Sequence, residues 1–211
     1  YINYPTTDEE RSQNINLINE TSLEALLPKI SINAETVALV EAKDCHIPGR
    51  PEDARQPTLS IVTAIDIENP TAFKATCVAA PVDTIYVSKN NVFMVENDNF
   101  GIVSSGQASS RLYRVDISNE KPKYIAKAKV SGLIGWDQPY RLSEYDNHLR
   151  VISSIGSFHQ LHILKLAETS MPQISTLPNT QKPAAIGKPG EAIYSVRYIG
   201  ERAYIVTFRT M

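Results

Sequence analysis

Apolar and polar residues alternate in short runs along this chain, and two kinds of run recur at about fifty residues. The first is a strand that enters a turn: LSIVTAIDIENP (Leu59 to Pro70), SSRLYRVDISNEKP (Ser109 to Pro122) and FHQLHILKLAETSMP (Phe158 to Pro172). Aligned on Asp66, Asp116 and Lys165, these make Ile65, Val115 and Leu164 equivalent, and likewise Ile67, Ile117 and Leu166. Apolar side chains two apart, with a charged residue between them, predict a strand buried on one face. The second run is a hairpin: TIYVSKNNVFMVE (Thr84 to Glu96), YRLSEYDNHLRVISS (Tyr140 to Ser154) and AIYSVRYIGERAYIVTF (Ala192 to Phe208). Its centres are read as Asn90-Asn91, Asp146-Asn147 and Gly200-Glu201, built mainly from residues that tolerate the positive φ of tight hairpins.

Strand-and-turn units repeating at this pitch predict an all-β fold: β-propeller blades of four antiparallel strands, with approximate repeats 31–58, 59–108, 109–157 and 158–211. Residues 1–20 are polar without a sustained period and read as an extended lead-in or arm. One short N-terminal helix is expected over 21–30, where Thr21 and Ser22 can cap, Leu23, Leu26 and Leu27 share a face, and Pro28 stops it. Residues 31–43 alternate as a single strand. Residues 42–57, 97–110 and 165–189 read as long connections, the places where a repeated scaffold usually carries its binding groups. Three clear repeats and part of a fourth fall short of the roughly four to eight blades that close a propeller, so an incomplete propeller is expected. Its open strand edges predict homo-oligomerisation or association with the remainder of the propeller.

Composition narrows the partners. Within 211 residues, 42% are hydrophobic, yet no apolar run is long enough for a membrane-spanning helix. A net charge of −2 supplies no general attraction to nucleic acid. The two cysteines, Cys45 and Cys77, are disulfide candidates whose bridge would imply an oxidising compartment; two buried free thiols are the other reading.

Candidate chemistry is sparse. His159 and His162 stand three apart on a predicted strand and so point to opposite faces, which is wrong for a shared metal ion. Asp44, Cys45 and His46 have the composition of a nucleophile site without its spacing. Glu96, Asn97, Asp98 and Asn99 offer too few oxygens for calcium and read as a solvated turn. Gly187 and Gly190 do not lead from strand to helix, so the stretch around them is a loop with no phosphate cradle. Arg111, Arg114, Lys121, Lys123, Lys127 and Lys129 read mostly as outward charges on strand edges. No catalytic residue, metal ligand or cofactor is expected from these patterns. Trp136, Asp137 and Tyr140 are the weak ligand-binding candidates, because aromatic rings beside a carboxylate suit carbohydrate or peptide recognition, although blade packing also accounts for them.

Two longer segments carry a resemblance. GLIGWDQPYRLSEYDNHLRVISS (Gly132 to Ser154), with Ser143, Glu144, Tyr145, Leu149, Arg150 and Val151, is one; GEAIYSVRYIGERAYIVTFRTM (Gly190 to Met211), with Ile193 to Arg197 and Ala203 to Arg209, is the other. They resemble secreted bacterial and archaeal proteins that carry a C-terminal β-propeller domain distantly related to WD repeats. The resemblance extends loosely back to Leu23 and implies that these motifs are blade structure with no activity attached. It also implies that the chain is a fragment, since members continue past the equivalent of Thr207-Phe208-Arg209. The function expected is a non-catalytic binding or interaction module of the cell surface or envelope, secreted, with protein or glycan as partner. The alternative is part of a propeller enzyme, hydrolase or lyase in type, whose catalytic residues lie in blades absent from this chain.

Overall fold

A computed structural model describes residues 4–49, 58–98, 108–135 and 138–209. The N-terminal stretch differs from the extended arm expected of it: Asp8–Glu20 forms helix α1. The cause is local, a capping box in which Thr7 accepts from the Glu10 amide while the Glu10 carboxylate accepts from the Thr6 and Thr7 amides. Those hydrogen bonds hold the Glu10 carboxyl below its ordinary range. Three acidic residues in the first turn also suit the helix dipole, and none of the helix is buried. The expected helix is the single turn α2, Leu23–Leu26, capped by Ser22; Leu27 alone of its leucines is buried, and Leu23 and Leu26 face outward. The one strand foreseen over 31–43 is instead a hairpin of β1 (Lys29–Ile32) and β2 (Glu35–Ala38), turned by Asn33 and Ala34 at positive φ.

From residue 45 onward the chain builds sheets in succession. The first contains β3 (Cys45–His46), β4 (Ser60–Ile65) and β5 (Phe73–Val78) in the order β3-β5-β4, with β3 parallel to β5. The second is a four-stranded antiparallel meander of β6 (Thr84–Val87), β7 (Asn91–Asn97), β8 (Ser109–Asp116) and β9 (Lys123–Ser131). The third repeats it with β10 (Leu142–Tyr145), β11 (His148–Ile155), β12 (Phe158–Lys165) and β13 (Gln173–Leu177). A last hairpin pairs β14 (Ala192–Ile199) with β15 (Arg202–Phe208). The aligned segments of the first sequence pattern are therefore β4, β8 and β12, the third strand of each unit, and the hairpins are the first two strands. Sequence repeats and sheets share one period and differ in phase by two strands.

The second and third sheets bury both faces against their neighbours. Val62 and Val78 of the first sheet meet Val92, Met94, Tyr113 and Val115 of the second. The opposite face of that second sheet, with Phe93, Val95 and Leu112, packs on Leu149, Val151 and Leu164 of the third. Ile152 and Leu161 then meet Val196, Tyr198 and Ile205 of the hairpin. Alternate side chains of one strand thus serve two interfaces, so the central strands of the second and third sheets are buried on both faces where one buried face was expected. The first sheet's remaining face is covered by Leu27 and Val40, and Cys45 bonds to Cys77 directly opposite it across the parallel pair, Cα to Cα 4.4 Å.

Candidate functional site

The first two strands of each unit are joined by a tight turn, and the turns of the second and third sheets lie side by side. At Asp146-Asn147 both residues have positive φ, and Gly200 does too, as the hairpin pattern requires. The first turn differs. Ser88 and Asn91 close it with an amide-to-carbonyl bond, which leaves Lys89 and Asn90 at its centre and makes Asn91 the first residue of β7.

That shift turns Asn91 into a junction. Its side chain is buried; Nδ2 donates to both Glu144 carboxylate oxygens at 2.9 and 3.1 Å, and Oδ1 accepts from Arg114 Nε at 2.7 Å. Glu144 also accepts from Ser88 Oγ, and its own amide donates to Tyr86 Oη at 3.0 Å. Arg114 completes the tie by donating to the Ala167 carbonyl at 2.7 Å. One blade further round, Arg150 lies between the rings of Tyr145 and Tyr198, 4.9 and 4.7 Å from their centroids, and donates to Gly200 O and Ser143 Oγ. Burial raises the Tyr198 phenol above its ordinary range. None of this network was expected from residue type, and Arg114 belongs to it rather than to a solvated edge. The turns of the second and third sheets flank an open, shallow polar cleft of about 310 Å³ lined by Ser88, Lys89, Glu144, Tyr145, Asp146 and Asn147.

At the other end of β10 from the cleft, the segment entering that strand carries the ligand candidates expected from the sequence. Tyr140 lies on a 3-10 turn, Pro139–Arg141, about one-third exposed; Trp136 and Asp137 lie outside the described residues. The turn is pinned by Arg141, whose buried guanidinium donates to Ser154 Oγ at 3.0 Å and whose carbonyl accepts from Tyr198 Oη at 2.9 Å. Burial lowers the affinity of Arg141 for its proton. Upstream, the buried Ile134 donates its amide to Asn97 Oδ1 and Ser110 Oγ, and Thr84 Oγ1 donates to Gly135 O.

The other candidates resolve into structure. His159 and His162 do point to opposite faces: His159 Nε2 donates to Glu191 O at 3.0 Å, toward the last hairpin. His162 Nε2 donates to Ser131 O at 3.2 Å, toward the second sheet. Burial depresses the His162 pKa. Cys45 is consumed in the disulfide, so it is no nucleophile; His46 stacks on Tyr124 with centroids 5.1 Å apart, and Asp44 pairs with Lys121 at 2.7 Å. Glu96 and Asp98, expected in a solvated turn, lie at and just past the end of β7, Glu96 buried and Asp98 half-buried with its side chain largely covered. Arg111 bridges them at 3.0 and 3.1 Å, Tyr113 Oη donates to Glu96, and Lys129 stands 3.5 Å from Asp98. Burial works to lower the Arg111 pKa, and the two carboxylates outweigh it, leaving the pKa raised; burial and the Glu96 contact raise that of Tyr113. The cause of the difference is the pairing of Glu96 directly opposite Arg111 across β7 and β8. Asn99 lies outside the described residues.

Repeated four-stranded meanders packed face to face, each offering its first strands' turns to one rim, are the geometry of propeller blades, and the family model for the beta propeller domain matches residues 2–211. The chain belongs to the beta propeller domain family. No match to a curated protein is found. Within the propeller, the networks at Asn91, Arg150 and Glu96 are inter-strand and inter-blade fastenings, and the cleft and the Tyr140 turn are what they hold in place. Among the described residues, no group of three or more His, Cys, Asp or Glu is arranged to hold a metal ion, and no helix is long and apolar enough to cross a membrane.

Proposed function

We propose that this propeller is a non-catalytic binding module of the cell surface or envelope, and that it recognises glycan through the turns at the ends of its inner strands. The observation that carries the reading is the cleft between the second and third blades. It presents Lys89, Asp146, Asn147 and an exposed Tyr145 over about 310 Å³, within the volume range of small-ligand sites. A ring face beside charged and amide groups matches the alternation of apolar C–H faces and hydroxyls on a sugar. The supporting groups are already anchored, so little ordering would be lost on binding. The Cys45–Cys77 bridge supports a secreted location, since such bonds persist in oxidising compartments. A secreted bacterial or archaeal relationship, distant from WD repeats, fits the same picture.

The test is an immobilised array of cell-envelope polysaccharide fragments and surface-protein ectodomains, probed with the wild-type chain and with Lys89→Ala/Asp146→Asn. Both positions are exposed. Glycan binding that drops at least tenfold in the variant supports the reading. Binding to ectodomains alone, or glycan binding indifferent to the substitutions, overturns it.

A further inference from the structure

The arginines of this fold differ in what meets their charge. Taking a guanidinium out of water is costly unless an opposite charge or an aromatic face replaces the lost solvation. Half-buried Arg111 has the carboxylates of Glu96 and Asp98 at 3.0 and 3.1 Å. Half-buried Arg114 reaches Glu144 through the Asn91 amide, which accepts from its Nε at 2.7 Å and donates to that carboxylate. Arg150 is buried between the rings of Tyr145 and Tyr198. Arg141 is only 6% exposed, yet among the described residues no carboxylate pairs with it and no ring face covers it. Its Nη1 donates to Ser154 Oγ at 3.0 Å, a hydroxyl that is also bonded to His159 Nδ1 at 2.8 Å. Its Nε is shielded from solvent without a partner, so Nη2 is the edge of the group left for an incoming acceptor.

The turn that carries this charge is fixed from two sides. Pro139–Arg141 sits between the first strands of neighbouring units: the Gln138 amide donates to Thr84 Oγ1 of β6 at 3.4 Å, and Tyr198 Oη of β14 donates to the Arg141 carbonyl at 2.9 Å. The Tyr140 hydroxyl stands beside the guanidinium: burial lowers Arg141's hold on its proton, and that hydroxyl works against it. Tyr140 is itself about one-third exposed, so the turn is reachable from solvent. We propose that this turn is a binding site for one oxyanion group, a carboxylate or a phosphate, held by Arg141 Nη2 and the Tyr140 hydroxyl. The ligand supplies the negative charge that no described residue brings to Arg141, and the hydroxyl adds a second donor beside it, a pairing that suits carboxylate and phosphate oxygens. Because Nε is covered, the guanidinium meets the anion through one nitrogen rather than as a fork. The site lies at the opposite end of β10 from the cleft proposed to take glycan, and it stands whether or not that cleft is occupied.

Thermal melting of the chain at pH 7 tests the site, with chloride, inorganic phosphate and glucuronate compared at equal ionic strength. Wild type should show a saturable rise in melting temperature with phosphate, with glucuronate or with both at millimolar concentrations, since a ligand that binds only the folded state stabilises it. A rise with one probe alone names which oxyanion the turn takes. Phosphate also strengthens folding by exclusion from protein surfaces, so Arg141→Met supplies the comparison: it should keep that unsaturable effect and lose the saturable one. No saturable rise with either probe, or the same rise in Arg141→Met, overturns the proposal. Should Arg141→Met fail to fold, Tyr140→Phe decides it. That variant keeps the ring and removes the second donor, so the anion concentration at half-saturation should rise roughly fivefold, the worth of one hydrogen bond. An unchanged half-saturation point in Tyr140→Phe overturns the two-donor site.

Discussion

Single side chains fasten the blades of this propeller together, and their contributions separate by experiment. Asn91→Leu removes the amide that serves Glu144 and Arg114 at once, leaving a carboxylate and a guanidinium short of partners; a loss of about 2 kcal/mol is expected from urea unfolding. His162 supplies a pH dependence. Its folded-state pKa is depressed by burial, so as pH falls through the unfolded value of about 6.5 the unfolded chain takes up a proton that the folded chain refuses. Stability is thus full above that pH and declines below it until the folded ring itself protonates. The drop in melting temperature between pH 7 and pH 5 should be smaller in His162→Gln than in wild type. That the two histidines face opposite ways was legible from their spacing of three on a strand. The role of Asn91 was hidden, because a one-residue change in where the turn closes converts a turn residue into a buried strand residue.

Elements differ sharply in what they contribute. Helix α1 buries nothing, so Thr7→Ala should reduce the helical circular-dichroism signal by weakening a cap worth about 1 kcal/mol while leaving the melting midpoint of the sheets unchanged. The disulfide acts on the element that holds the first sheet to its covering segment. Cys45→Ala/Cys77→Ala should cost roughly 3 to 4 kcal/mol by the loop-entropy relation for a separation of 32 residues, seen as a fall in urea midpoint that matches reduction of the wild type. At Gly132 the chain runs with φ +79° against Ser153, and an added Cβ would sit 2.8 Å from its Oγ. Gly132→Ala should therefore lower the melting temperature through both strain and crowding, whereas alanine at Gly156, where nothing lies within 4 Å, is strained by its backbone alone and should cost less. Strands were well announced by alternation. The helix α1 was missed because its signal lies in a capping box, while its apolar positions follow no buried stripe.

At the scale of the molecule, Ile85 and Val87 of β6 and Tyr204 and Val206 of β15 stand exposed on apolar strand faces. The repeat of about fifty residues, the existence of the strands, the turns at Asp146-Asn147 and Gly200-Glu201 and the pairing potential of the two cysteines were determined by sequence alone, because each depends on neighbours within one hairpin or on a count. Which faces of β4, β6 and β15 meet other blades was not, since the same apolar alternation describes a covered face and an open one. The turning of Glu96 and Asp98 from a solvated loop into a buried ion-pair cluster was likewise decided by tertiary structure: it requires Arg111, Tyr113 and Lys129 to arrive from the next two strands. Local order is written in short-range periodicity; charge burial and blade contacts depend on which distant strands the fold sets side by side.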